Sequence, residues 1–171
     1  LSSASWGATS LDGVPWLTLP PSSSWENAKR LLIFLGALDS NGRITPHGRA
    51  MSRLPMHPRL ANMVLIARER GYGVEGALLA AILEEMPNGG PRNESDIWNV
   101  VQFVRENKNN RFSKRVRELA GRWVKEDREE KPFDPGELLV FAFPDRIAHN
   151  RGNGTFQMTS GKGAFIDRTE A

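Results

Sequence analysis

Cysteine is absent from the 171 residues, which excludes disulfides and thiolate metal ligands and fits a reducing compartment. Histidine is scarce: His47, His57 and His149 leave any zinc site to be improvised from carboxylates at unhelpful spacings, so no metal site is expected. No apolar run approaches the roughly 20 residues that span a bilayer, and no charged-then-apolar leader opens the sequence; a cytoplasmic protein without a membrane partner is expected. Catalytic apparatus is missing as well. Glu84 and Glu85 are adjacent and diverge on a helix, His47 and His57 sit beside prolines at helix starts where capping or packing is their expected role, and no nucleophile, base and orienter can be assembled by spacing. Gly161-Lys162-Gly163 resembles part of a phosphate loop, but Ala164 follows where Ser or Thr is needed and no glycine precedes at the required spacing, so a hairpin turn is expected there. The glycosylation triplets at Asn93 and Asn153 are short enough to arise by chance.

What is present is an ordinary balance of 39% hydrophobic and 25% charged residues, with a net charge of +3. These values place the chain among globular proteins and make the local placement of charge more informative than its sum. Residues 1–23 are rich in Ser, Gly and Pro and read as an extended connector with anchoring side chains. Ser24 is a candidate cap for a helix over 25–35, whose apolar positions Ala28, Leu31, Leu32 and Leu35 recur at helical spacing. Asp39-Ser40-Asn41-Gly42 is a turn signal, with room for a short strand at 43–45, and Thr45-Pro46 opens a short helix that Pro55 ends. Further helices are predicted over 59–70, 74–86, 96–106, 111–128 and 137–148, the last limited by Pro144; from Arg151 onward glycine turns and short apolar runs predict a β-hairpin. The first residue is Leu, and the final "AFIDRTEA" reads as a strand just begun, so a piece of a longer polypeptide is expected.

Chemistry concentrates on the helix at 111–128. Phe112, Val116, Leu119, Ala120 and Trp123 gather on one side and Arg111, Lys114, Arg115, Arg122 and Lys125 on the other. Between residues 105 and 125 eight basic residues (Arg105, Lys108, Arg111, Lys114, Arg115, Arg117, Arg122, Lys125) face two acidic ones (Glu106, Glu118), a local charge of +6. Such a stripe suits a phosphate backbone, because each neutralised phosphate releases counterions. The bland alternative is a solvated face on which Glu118 bridges Lys114 and Arg122 at i, i+4.

The stretch "LLIFLGALDSNGRITPHGRAMSRLPMHPRLANMVLIA" resembles the segment that follows the two motor domains of DEAH-box ATP-dependent helicases, and "HGRAM", "LPMHPRLA" and "AFPDRIAHNRG" bring it closer to the HrpB type. The resemblance is strongest at 31–67 and 142–152 and rests at 88–135 on helical pattern and basic charge. It implies a mainly α fold, with a winged helix followed by a ratchet-like helical bundle and a small β-containing C-terminal segment. The implied divisions are a connector from the motor at 1–23, the winged helix at 24–72, the bundle at 73–141, and the start of an HrpB-type C-terminal region at 142–171. In that setting Gly48 permits close approach, Pro55 and Pro58 set the angle between helices, and Arg105, Lys108, Arg111, Lys114, Arg115, Arg122 and Lys125 are the nucleic-acid-binding candidates. The implied function is support of the motor and grip on single-stranded RNA or DNA. ATP and Mg belong to motor domains outside this sequence, which has no phosphate loop, Asp-Glu-x-His box or arginine-finger motif; the chain alone should neither hydrolyse ATP nor unwind a duplex. Two other readings use different residues. A winged-helix DNA-binding regulator would place residues 46–54, with Arg49 and Arg53, in a major groove; a protein-interaction scaffold would dock through the Trp-bearing connector and the apolar helix at 74–86.

Overall fold

The Asp39 turn sets up everything around it. In the computed structural model, which describes residues 1–8, 10, 15–91, 94, 96–124, 131–159 and 161–166, the Asp39 carboxylate accepts the backbone N–H groups of Asn41 at 2.9 Å and Arg43 at 2.8 Å. Gly42 takes a positive φ of 78° to complete the reversal. The returning chain forms a single antiparallel bridge between Leu38 and Ile44, the minimal form of the short strand predicted at 43–45. Thr45 then caps the next helix: its hydroxyl accepts from Gly48 N at 2.9 Å and donates to the Gly36 carbonyl at 2.7 Å.

The chain divides into two compact units, Leu1–Leu65 and Ile66–Ala171. The first contains α1 (Ser2–Ser5), α2 (Ser22–Phe34), α3 (Pro46–Ser52) and the first turns of α4 (Pro58–Glu69). Its core is Leu32, Leu35, Ala37, Leu38, Met51 and Ala61, with Leu31, Ile44, Leu54 and Leu65 packed around it. Gly48 is buried where α3 crosses the 36–38 segment. A Cβ there would fall on the Ala37 carbonyl oxygen and lie 2.9 Å from the carbonyl carbon, so the close approach of two backbones requires glycine. Both histidines of this unit are structural, as expected: His47 Nε2 meets the buried Asn62 Oδ1 at 2.7 Å, and His57 Nδ1 accepts from Arg59 N at 3.2 Å at the start of α4. Two expectations are corrected. The connector is not wholly extended, since residues 2–5 form α1. The second helix begins at Ser22, with the Pro21 carbonyl accepting from Ser24 and Trp25, in place of a Ser24 side-chain cap.

The second unit continues α4 and adds α5 (Gly73–Glu85), α6 (Ile97–Glu106), α7 (Arg111–Trp123), α8 (Pro135–Ala142) and strands β1 (Ala148–Gly152), β2 (Thr155–Met158) and β3 (Gly163–Phe165). Helix α5 is buried along Ala77–Ile82 on all sides, consistent with its lack of a polar face. Asp96 and Asn110 cap α6 and α7 by accepting from Trp98 N and Phe112 N, each at 2.8 Å. Glu75, fully buried in the first turn of α5, accepts the Lys131 backbone N–H. Pro144 stops α8 and leaves a single 3-10 turn, Pro144–Arg146, so the helix predicted over 137–148 starts at Pro135 and is shorter. The strands form an antiparallel meander in the order β1-β2-β3, pairing Asn150 with Phe156 and Phe156 with Ala164. The β-hairpin expectation is met, three residues earlier than predicted. Gly161 and Lys162 lie in the β2–β3 turn, with Gly161 at φ 81°, and Gly163 opens β3 where a phosphate loop would open a helix. Among the described residues no helix is long and apolar enough to cross a membrane.

Candidate nucleic-acid interface

Helix α7 separates its residues as its periodicity dictates. Phe112, Val116 and Trp123 are buried, Leu119 and Ala120 are half-buried, and Arg111, Lys114, Glu118 and Arg122 are exposed. Arg111 and Arg122 are separated by three turns, about 16 Å along the axis, and Lys114 lies between them on the same side. Lys108, in the loop just before α7, is exposed as well. Among the described residues no ion pair joins Glu118 to Lys114 or Arg122.

Arg105 and Arg115 are partly buried and engaged by neighbouring groups. Arg115 places its Nε 2.7 Å from Glu85 Oε2, and its Nη2 donates to the Asn88 carbonyl at 2.8 Å, tying α7 to the end of α5. With the two side chains 31% and 18% exposed, this partly desolvated, two-pronged contact is worth more than a surface pair. Arg105 lies 5.4 Å from the Phe133 ring centroid and donates to the Lys131 carbonyl at 3.5 Å. Arg117 donates to the Val104 carbonyl at 3.1 Å, bridging α7 and α6. Lys125 lies outside the described residues, as do 126–128 of the predicted helix; Trp123 is the last helical residue, and Val124 is extended with φ −125° and ψ 121°. The structure therefore gathers Lys108, Arg111, Lys114 and Arg122 in solvent and commits Arg105 and Arg115 to internal contacts. Helical periodicity on one helix could not show this, because the partner Glu85 lies 30 residues away.

Beside this face α5 and α7 run antiparallel, since Glu85 at the end of α5 meets Arg115 while Val74 at its start faces Val124. Small side chains at the open end leave a cleft of about 180 Å³ lined by Val74, Ala77, Leu78, Arg117, Ala120 and Gly121.

Residues 30–56, the end of α2 through the Asp39 turn, Thr45 cap and α3, match the helicase associated domain (HA2), winged-helix family. This segment is similar to a helicase-associated winged helix. Beyond it, the chain is 34% identical over 167 residues to the ATP-dependent RNA helicase HrpB of Escherichia coli, covering 97% of this chain and 20% of that protein. A crystal structure of E. coli DExH-box NTPase HrpB superposes with a TM-score of 0.80 at 32% identity, covering 99% of this chain and 20% of that one. The ATP-dependent RNA helicase DEAH13 of Arabidopsis thaliana is 47% identical over 55 residues, 32% of this chain and 4% of that protein. The likeness to HrpB extends over nearly the whole chain, through the α5–α8 unit and the sheet. The chain is similar to a part of HrpB and spans about a fifth of the length of the HrpB it matches.

Proposed function

We propose that this chain serves an HrpB-like ATP-dependent RNA helicase as the region that supports the motor and grips single-stranded nucleic acid. The observation that carries the reading is the group Lys108, Arg111, Lys114 and Arg122, which stand in solvent while neighbouring arginines are consumed by internal contacts. Four exposed cations on one helix and its approach can follow a phosphate backbone by counterion release without reading bases. Residues 24–72 take the role of the winged-helix hub, 73–141 that of the ratchet-like bundle, and 142–171 that of the start of the HrpB-type C-terminal region. The motor domains of the same protein supply ATP hydrolysis and are the internal partner. The Gly161 turn does not suit a nucleotide phosphate, because it joins two strands and offers no helix N-terminus. The chain by itself neither hydrolyses ATP nor unwinds a duplex, and it works in the cytoplasm.

Titration of the chain with single-stranded RNA, single-stranded DNA and duplex of equal length tests this. Preference for single strands is the expected result. Preference for duplex would favour a DNA-binding regulator acting through Arg49 and Arg53, and absence of binding at low salt would leave only a protein scaffold.

A further inference from the structure

We propose that the α5–α7 cleft is a nucleobase pocket, which receives one unstacked base of the strand whose phosphates lie on Arg111, Lys114 and Arg122. The inference rests on the phosphate-grip reading above and adds to it a second kind of contact. At about 180 Å³ the cleft has room for on the order of ten water-sized groups, enough for a flat heteroaromatic ring. Its lining mixes polar and apolar surface: the half-buried Val74 on α5 faces Ala120, Gly121 and Val124, and the buried Ala77 and Leu78 form the floor. The one cationic lining group is Arg117, held at the wall by its bond to the Val104 carbonyl, and a guanidinium plane is a standard stacking surface for bases.

Charge placement selects the occupant. Lys114 lies two turns before Gly121 on nearly the same line of the helix, and Arg111 and Arg122 lie further round on the exposed side. Glu118 stands exposed one turn before Gly121 on α7, and an acidic residue on that side disfavours a phosphate in the cleft and leaves the neutral base as the group that enters. Gly121 is the position that keeps the cleft open. It is exposed, and a Cβ there meets nothing within 4 Å, so a larger side chain is accommodated at this lining position without displacing backbone.

The experiment compares binding of a labelled oligo(A) RNA with that of an abasic sugar-phosphate oligomer of the same length, for the full chain and for Gly121→Leu and Gly121→Ala. The unaltered chain should bind oligo(A) about tenfold more tightly than the abasic oligomer, the size of one base stacked on a side-chain surface. Gly121→Leu should abolish that preference and leave abasic binding as before, with Gly121→Ala close to wild type. Circular dichroism should show both variants folded, because either substitution raises helix propensity. Equal binding of the two oligomers by the unaltered chain, or an undiminished preference in Gly121→Leu, overturns the pocket and leaves the phosphate grip standing. Failure of both oligomers to bind at low salt overturns the grip and the pocket together.

Discussion

Gly48→Ala is the substitution whose outcome follows most directly from the geometry. The added methyl would collide with the Ala37 carbonyl oxygen and come within 2.9 Å of its carbon. Ala37 is fully buried, and its carbonyl already accepts from Thr45 N at 3.0 Å and Thr45 Oγ1 at 3.2 Å. Relief therefore requires α3 to move away from the 36–38 segment. Overpacking of this sort costs about 1–3 kcal/mol, and loosening two hydrogen bonds adds about 1 kcal/mol each. Alanine returns about 1 kcal/mol through its helix propensity. The net loss is about 2–4 kcal/mol from the first unit, enough to lower its melting midpoint by on the order of 10 °C or more. Amide hydrogen exchange across residues 32–52, with thermal unfolding by circular dichroism, reads this directly. Gly121→Ala is the internal control, because it is also a helical glycine but has open space around it and should be neutral or stabilising. Wild-type protection across 32–52 in Gly48→Ala would refute the close approach and the account of why glycine occupies this site.

Thr45→Ala removes the α3 cap and the bond to the Gly36 carbonyl, and should cost about 1–2 kcal/mol in urea unfolding. Arg115→Ala should cost a similar amount by breaking the contacts with Glu85 and Asn88, while the salt dependence of nucleic-acid binding stays at the wild-type value; a flattened dependence would return Arg115 to the interface. Glu75→Ala leaves the Lys131 N–H without its buried acceptor, at a cost of about 1–3 kcal/mol, detected as faster exchange of the Lys131 amide.

Local chemistry made much of the first unit legible. The Asp39 turn, the Thr45 cap with Pro46 behind it, and the Pro58 start of α4 each depend on residues within four positions of one another, a range in which side-chain chemistry specifies backbone. The same holds for the Asp96 and Asn110 caps and for the glycine turns of the sheet. Misreadings arose where tertiary context decides. Helix α7 has no stop signal at Trp123, yet its last-turn carbonyl accepts from Arg68, 55 residues earlier, and the next residue turns extended. Arg115 falls on the same helical face as Arg111 and Arg122 and is drawn into an ion pair by an acid on α5. Arg105 is drawn off by Phe133 and Lys131. A helical wheel separates apolar from polar faces, but it carries no information on which cation a neighbouring helix will claim. The α5–α7 cleft was invisible for the same reason, since it comes from small residues on two helices more than forty positions apart.

The grip on phosphates by exposed cations is tested most directly by the salt dependence of single-stranded RNA binding, measured for the unaltered chain and for the combined Lys108→Ala, Arg111→Ala, Lys114→Ala and Arg122→Ala variant. Each phosphate contact contributes about 0.7 to the slope of log K against log salt for a single strand, so loss of these four should flatten the slope by about 3. An unchanged slope in a folded variant would contradict the account and make this surface an ordinary solvated helix face.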